Sequence, residues 1–476
     1  MAKFDNNIIV LGAGSGGLIA ALIGSTLKAK VTLIERHKMG GDCLNTGCVP
    51  SKALISSAKA AHHMRNAAHY GIRSVEPEVD FPAVMQRIRG AIATIAPKDS
   101  VERYSELGVN CVIGDGKIID AHHVQVGDQV ISGRSIIVAT GGSPLVPPIP
   151  GLADVQPLTS DNIWDLEALP GRLLVMGGGP IGCELAQSFA RLGSDVTIVD
   201  MADRLMPRED ADVSAHVEKV FAAEGITIRT SAKAISVAPG ALTIESMTDN
   251  TEELLPFDRI LVAVGRRAHT RDMGLEDIGV TLARNGTIET DAYLRSSVPN
   301  VFACGDVAGP YQFTHMASHQ AGYATLNALF GKIWKSAVNY SVVPWCTYIE
   351  PEVAKVGLSE SEAAEQGIAV EVTRYGLDDL DRAIAEGNAD GWVKVLTKPG
   401  SDKILGASIV GPHAGEMITE FVSAMTHGLG LKKIMGTVHI YPTFSEGNKL
   451  AAGAWRRARA PQGALGLLGE VLDWAR

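Results

Sequence analysis

The run Gly40-Gly41-Asp42-Cys43-Leu44-Asn45-Thr46-Gly47-Cys48-Val49-Pro50-Ser51-Lys52 holds the residues of this chain best able to do chemistry. Two cysteines this close can pass between dithiol and disulfide, or can ligate a metal. Zinc sites usually need a second cysteine pair or a histidine pair at short spacing, and none accompanies this one. Pro50 and the apolar Ala53-Leu54-Ile55 behind it mark a helix that begins nearby. A cysteine at a helix N-terminus has a lowered pKa, because the dipole stabilises thiolate. Lys52 adds a positive charge close by. Thiolate is the form that attacks disulfides, so such a pair beside a flavin could store two electrons. Cys111, Cys183, Cys304 and Cys346 are singletons in apolar or glycine-rich settings and read as core packing.

Electrons held by the pair need a carrier beside it, and one dinucleotide-type pattern occurs twice. The first copy is Ile8-Ile9-Val10-Leu11, then Gly12-Ala13-Gly14-Ser15-Gly16-Gly17, a small-residue helix, and Val31-Thr32-Leu33-Ile34-Glu35. The second is Leu173-Leu174-Val175-Met176, then Gly177-Gly178-Gly179-Pro180-Ile181-Gly182, a helix, and Val196-Thr197-Ile198-Val199-Asp200. In each, the acid stands 23 positions after the first glycine (35−12 and 200−177). These are two βαβ units. Gly12, Gly14 and Gly17 allow a tight turn, close approach to a pyrophosphate and close helix packing. The phosphates then meet free N–H groups at the helix N-terminus. Glu35 can accept from an adenosine ribose. Gly177, Gly179, Gly182 and Asp200 repeat the set for a second dinucleotide. An acid at Asp200 repels a 2′-phosphate, so NAD(H) is expected over NADP(H). Arg204 and Arg208 just beyond work against that preference.

Around these units the chain divides. Ser135–Gly141, which includes Thr140, and Arg259–Arg266, which includes Gly265, are buried-strand runs stopped by glycine. Pro144, Pro147, Pro148 and Pro150 mark a stiff linker. The reading is a cofactor domain over 1–150, a nicotinamide domain over 151–270, and a return to the first domain over 271–340. Alternating strands at 353–357, 392–395 and 404–410, with helices after them, give a separate α+β domain over 341–476. Residues 456–476 read as a short tail with Arg456, Arg457 and Arg459 as a solvated basic run.

The chain has 476 residues, 46% hydrophobic and 20% charged, which suits ordinary globular cores. A net charge of −10 argues against nucleic acid or an anionic membrane as partner. No apolar run reaches the ~18 residues of a spanning helix. The polar start runs directly into the first strand with no cleavable signal, so a cytoplasmic location is expected.

The cysteine run resembles the active-site signature of the class I flavoprotein disulfide reductases, in their branch of dihydrolipoamide dehydrogenase and mercuric reductase. The resemblance spans nearly the whole chain. Val298-Pro299-Asn300-Val301-Phe302-Ala303-Cys304-Gly305-Asp306 is similar to the second FAD motif, which implies that Asp306 binds the ribityl chain. Phe313-Thr314-His315-Met316-Ala317 resembles the segment that runs along the flavin. The resemblance extends the cofactor set to Gly41, Thr140, Gly141, Ala317 and Gly265. It implies that Lys52 pairs with Glu184, which stands two residues after Gly182. It also implies that Cys43 is the exchanging sulfur and Cys48 the thiolate against the flavin. The implied fold is α/β: two Rossmann-like domains plus a C-terminal α+β dimerisation domain. The implied cofactors are FAD and NAD(H), in a homodimer acting on a small thiol, disulfide or lipoyl group, free or protein-bound.

One position departs from the family. Members that handle disulfides carry His-Pro and, four residues after the proline, Glu; that His is the acid–base for thiol exchange in the other subunit. Here the run is Val438-His439-Ile440-Tyr441-Pro442-Thr443-Phe444-Ser445-Glu446, so Pro442 and Glu446 align and Tyr441 fills the histidine's place. His439 is two residues earlier, on the same side and about 7 Å away if the segment is extended. A tyrosine here is similar to the mercuric reductases. Those enzymes also carry a C-terminal cysteine pair, and no cysteine follows Cys346. The expected activity is electron transfer between NAD(H) and a thiol/disulfide, with metal-ion reduction and a redox-sensing or electron-carrying flavoprotein as alternatives.

Overall fold

The computed structural model describes residues 4–476; residues 1–3, where the polar start lies, fall outside them. The chain forms two compact units. One takes in the chain up to Arg65, Val75–Leu205 and Val220–Asn339; the other Asn66–Ser74, Met206–Lys219 and Tyr340–Arg476.

In the first unit, strand β1 (Asn6–Leu11) is buried over Ile8–Leu11. Continuous burial is what a central parallel strand covered on both faces requires. Helix α1 (Ser15–Thr26) leads to β2 (Val31–Glu35), parallel to β1 with Ile8 opposite Val31. Helices α2 (Gly41–Asn45) and α3 (Cys48–Arg65) follow. Strand β3 (Asn110–Ile113) extends the sheet, and β4 (Gly116–Asp120), β5 (His123–Val126) and β6 (Gln129–Val138) return antiparallel to one another. The order is β3-β2-β1-β6-β5-β4.

The second glycine pattern builds a parallel sheet of its own. It comprises β7 (Arg172–Met176), α4 (Pro180–Leu192), β8 (Asp195–Val199), β9 (Thr227–Arg229) and β10 (Arg259–Val262), in the order β9-β8-β7-β10. A three-stranded antiparallel sheet over 232–256 packs Val237, Leu242, Ile244 and Leu255 against Leu174, Met176 and Val199. Strand β11 (Val301–Ala303) then joins the first sheet beside β6, and α5 (Thr314–Phe330) packs on α1.

The other unit is a five-stranded antiparallel sheet. Its strands, in spatial order, are Pro344–Thr347, Glu352–Gly357, Ile404–Gly411, Trp392–Thr397 and Glu371–Gly376. Helices α6 (Asp381–Ala385), α7 (Ala414–Thr426) and α8 (Glu446–Ala458) belong to it, and Met417, Phe421, Ala451 and Trp455 enter its core. The mixed α/β architecture expected from the sequence is the one observed. The tail is different: Arg456 and Arg457 end α8, and Gln462–Trp474 is a further helix. Nor is Arg459 merely solvated, because it pairs with Glu371 and lies 4.8 Å from the centre of the Trp455 ring. Among the described residues, no helix is long and apolar enough to cross a membrane.

This sheet buries two lysines. Lys394 is 1% exposed and its ammonium lies 2.9 Å from Asp210, 2.9 Å from Asp212 and 2.8 Å from Glu360. Lys355 pairs with Glu362 at 2.7 Å under the Trp345 ring. Burial works against ionisation of Asp210, but Lys394 holds its carboxyl below the ordinary range. A buried charge stripped of its partner costs about 3–5 kcal/mol. Replacing Lys394 by Met should therefore destabilise the protein by about 3 kcal/mol. Thermal unfolding checks it, and adding Asp210→Asn should recover part of the loss. An unchanged midpoint for Lys394→Met would show that solvent already screens the cluster.

Candidate active site

The two glycine loops divide the same labour among three glycines. At the first, Gly12 (φ +95°) and Gly177 (φ +111°) adopt a backbone that side chains avoid, and an added Cβ would lie 2.5 Å and 2.4 Å from the carbonyls of Ala139 and Ala263. At the last, a Cβ on Gly17 would lie 1.7 Å from the Gly12 carbonyl, and one on Gly182 1.9 Å from that of Gly177. The middle pair differs. Gly14 and Gly179 have ordinary φ values of −77° and immediately precede α1 and α4. A Cβ at Gly179 meets nothing within 4 Å, and one at Gly14 meets only the Gly41 Cα at 3.8 Å. Packing does not demand glycine there, whereas a ligand backbone pressed onto the helix N-terminus does. The residues thus fit a pyrophosphate at each loop. Gly141 and Gly265, beyond the ends of β6 and β10, likewise leave open space.

The acids at the ends of β2 and β8 hold these loops. Glu35 accepts the Ala13 N–H at 2.6 Å and the His37 N–H at 2.7 Å. Asp200 accepts the Gly178 N–H and, at 2.7 Å, the Ala202 N–H. Each acid therefore clamps the residue after the first glycine and the residue two places beyond itself. A carboxylate has about four lone-pair sites, so each keeps capacity for ribose hydroxyls. Arg204 lies 3.4 Å from its neighbour Asp203, and Arg208 is exposed in the other unit.

The cysteine run lies directly on the first loop. The Gly40 N–H donates to the Ala13 carbonyl at 2.9 Å, and a Cβ on Gly41 would fall 2.6 Å from the Gly14 Cα. Cys43 is on α2; Cys48 is the first residue of α3. Both are thiols here. Their mutual interaction drives their proton affinities apart. Hydrogen bonding to Cys48 and burial push the Cys43 thiol far above its ordinary value. The hydrogen bond from Cys43 lowers Cys48 to about 6, against the opposing effect of burial and with help from Thr314 and Lys52. Lys52 meets Glu184 on α4 at 2.8 Å, with Glu184 buried.

Asp306 lies in a short turn after β11. Burial pushes its carboxyl up, and Arg266 opposes the rise. Arg266 joins three elements: it bonds to Asp42 of α2, to the Gly142 carbonyl at 2.6 Å and to Asp306 at 3.3 Å. Burial works against its charge, but Asp42 and Asp306 hold it above the ordinary guanidinium value. The Thr140 hydroxyl donates to the His269 carbonyl at 2.8 Å. Ala317 packs under Gly305, 3.1 Å from where its Cβ would be. The sequence reading gave no role to Arg266 or to Thr314, whose hydroxyl is 3.3 Å from the Cys48 sulfur. Thr314 was visible as the hydroxyl residue that opens a helix; Arg266 had no local signal.

The segment around Tyr441 belongs to the other unit. His439 is largely enclosed. Its Nε2 lies 3.0 Å from Glu420, and its Nδ1 3.1 Å from the Thr437 carbonyl. Asn448 donates to the same Glu420 at 3.0 Å. Both ring nitrogens of His439 are thus committed inside the unit. Tyr441 is 66% exposed and donates to Asp381 of α6 at 2.8 Å. That hydrogen bond holds its phenol above the ordinary value. Glu446 opens α8. It is Asp381, not Glu446, that the Tyr441 hydroxyl meets.

Comparison with known proteins follows this geometry. The profile of pyridine nucleotide-disulphide oxidoreductases matches residues 6–321, and that of their dimerisation domain matches residues 343–452. The chain is 36% identical over 453 residues to the dihydrolipoyl dehydrogenase of Chlamydia muridarum, covering 92% of this chain and 94% of that one. It is 34% identical over 455 residues to a mercuric reductase of Streptomyces lividans, covering 94% and 95%. A solved Cu(II) complex of the HOCl-induced flavoprotein disulfide reductase RclA from Escherichia coli aligns at TM-score 0.83 with 26% identity, covering 95% and 99%.

The split between the two thiols sets a pH dependence. In reduced protein, Cys48 should be thiolate above a midpoint near 6 and become a thiol as the pH falls through it. The rate of iodoacetamide labelling of Cys48 against pH reads that midpoint. A midpoint at the unperturbed 9.0 would show that the Cys43 thiol does not donate to it.

Proposed function

The chain belongs to the pyridine nucleotide-disulphide oxidoreductase family, and on that premise we propose that Cys43 and Cys48 are the redox pair through which it couples NAD(H) to a thiol/disulfide substrate. It is an FAD- and NAD(H)-dependent oxidoreductase of the dihydrolipoyl dehydrogenase type. The observation that carries the reading is the dithiol seated on the first glycine loop. Gly12, Gly14, Gly17, Glu35, Gly41, Thr140, Gly141, Asp306 and Ala317 would hold FAD, which supplies two-electron exchange with nicotinamide. Gly177, Gly179, Gly182, Asp200 and Gly265 would hold NAD(H).

The chain's own groups then divide the thiol chemistry. Cys43 keeps the proton and is the sulfur that exchanges with substrate. Cys48 carries the charge and faces the flavin. The Lys52–Glu184 pair ties α3 to α4 beside it. The chain carries the dimerisation domain, and we take two copies to form a homodimer in which each Tyr441 segment serves the other copy's dithiol. The high exposure of Val438, Ile440 and Tyr441, at 91%, 79% and 66%, supports this. The domain plan we propose is FAD over 1–150 and 271–340, NAD over 151–270 and dimerisation over 341–476. A cytoplasmic location remains part of the proposal.

Metal-ion reduction is the second reading, and Tyr441 favours it. A phenol held above its ordinary value by Asp381 is no base at neutral pH. Reduction of an ion such as Hg(II) or Cu(II) needs thiolates but no general base for disulfide exchange.

Turnover of NADH with lipoamide, glutathione disulfide, Hg(II), Cu(II) and quinones separates these readings. Disulfide turnover with at least about tenfold preference for NADH over NADPH is expected. No turnover with any small acceptor would favour an electron carrier or redox sensor. Reduced protein should also show a long-wavelength thiolate–flavin band. Cys43→Ser should show that band without reduction and Cys48→Ser should lose it; a band surviving in Cys48→Ser would reverse the two roles.

General acid–base help is commonly worth 10²–10⁴-fold. Tyr441→His should therefore raise lipoamide turnover by at least about tenfold. His439→Ala should lower stability and change turnover less than about tenfold, because both ring nitrogens are already engaged. Both variants measured with lipoamide over about pH 6 to 9 decide the matter. A large loss in His439→Ala with no gain in Tyr441→His would make His439 the base.

A further inference from the structure

We propose that Thr314 is the positioning residue that keeps the negative charge of the reduced pair on Cys48. The inference rests on the reading of Cys43 and Cys48 as the redox pair. Reduction of their disulfide by NADH through the flavin adds two electrons, breaks the S–S bond and yields two thiolates. The one proton that the hydride of NADH brings with its two electrons leaves one thiol and one thiolate, with NAD⁺ as the other product. Something must decide which sulfur keeps that proton, and no imidazole stands at position 441 to do so.

The surroundings of the sulfurs supply the answer. Thr314 is the first residue of the 17-residue α5, and Cys48 is the first residue of the 18-residue α3. The Thr314 hydroxyl lies 3.3 Å from the Cys48 sulfur. Two helix N-termini thus converge on one sulfur, and each favours negative charge there. A hydroxyl has a single hydrogen to donate. Given to a Cys48 thiolate, it joins the Cys43 S–H as a second donor to the same atom. Hydrogen bonds to an ionised acceptor are roughly twice as strong as neutral ones. Lys52 is a weaker anchor than its position four residues along α3 suggests, because Glu184 neutralises it at 2.8 Å. Thr314 and Lys52 lower the proton affinity of Cys48, and Glu184 raises it. Thr314 also lowers the proton affinity of Cys43, as does Ser15, the first residue of α1, so the preference for Cys48 rests on the 3.3 Å contact that the Thr314 hydroxyl makes with that sulfur.

Thr314→Val removes the hydroxyl at nearly constant shape, and Thr314→Ser keeps it. The holoenzyme of each, reduced with dithionite, is titrated by two readouts: long-wavelength absorbance, and labelling of Cys48 by iodoacetamide located by tandem mass spectrometry. The midpoint should rise by about one pH unit in Thr314→Val, a tenfold gain in proton affinity. Thr314→Ser should return it to the wild-type value. A purely structural role would change FAD content without moving the midpoint, and Thr314→Ala serves as a second hydroxyl-free variant should Val not fit. Equal midpoints in wild type, Val and Ala, or a Ser variant that behaves like Val, overturn the proposal. A wild-type enzyme with no long-wavelength band overturns the redox-pair reading instead, and the labelling midpoint still decides the role of Thr314.

Discussion

A side-chain carbon at Gly41 would fall 2.6 Å from the Cα of Gly14, and the site depends on the absence of that carbon. The contact sets the start of α2 flush against the first glycine loop, with the Gly40 N–H fixed to the Ala13 carbonyl. Cys43 and Cys48 follow within one short helix and a turn, so their sulfurs have little freedom to drift. Even Ala at Gly41 would force the two backbones apart, and it would also have to adopt φ +56°. Backbone-to-backbone contact is stiffer than any side-chain contact could be, which suits a centre that must place sulfurs repeatedly at one distance from a carrier.

The same economy recurs in both halves of the first unit. Glu35 and Asp200 each fasten a glycine loop to the chain that leaves the following strand. Contact with an adenosine would then be only one of their tasks. Replacing either acid would loosen its loop before any ribose contact was lost. The three glycines of each loop are not interchangeable for the same reason. The outer two answer to the protein's own packing, and only the middle one answers to a ligand.

These differences explain what could be read from the chain and what could not. The βαβ units were legible because glycine spacing and an acid at fixed distance are local features, and the sheets formed where continuous apolar runs required them. Lys52 and Glu184 lie 132 positions apart, and only the resemblance to a family brought them together before the structure did. Arg266 was illegible: it reaches Asp42, 224 positions away, and nothing in the run around it signals that contact. The tail was only partly legible: Arg456 and Arg457 are exposed as read, but they stand in the last turn of a helix whose other face is core, and Arg459 pairs with Glu371. Position 439 resisted for a subtler reason. An alternation argument places His439 and Tyr441 on one side, but Glu420 and Asn448 draw the imidazole inward.

That inward turn bears on how the site can work without the family's histidine. A base must release a proton as readily as it takes one, and an imidazole bound at both nitrogens gives up a hydrogen bond whichever way it acts. Tyr441 is exposed but is the wrong acid, and its bond to Asp381 makes it a weaker one still. The pair of thiols therefore has to manage its own proton. On the proposed roles it would do so by asymmetry: Cys48 has the Thr314 hydroxyl and two helix ends beside it, and Cys43 would hold the hydrogen. A pair poised in this way keeps a thiolate ready for electron transfer without outside help. What it lacks is a group to return a proton to a departing thiol. A disulfide substrate would therefore have to take its proton from water, which would slow its turnover without changing the route of the electrons.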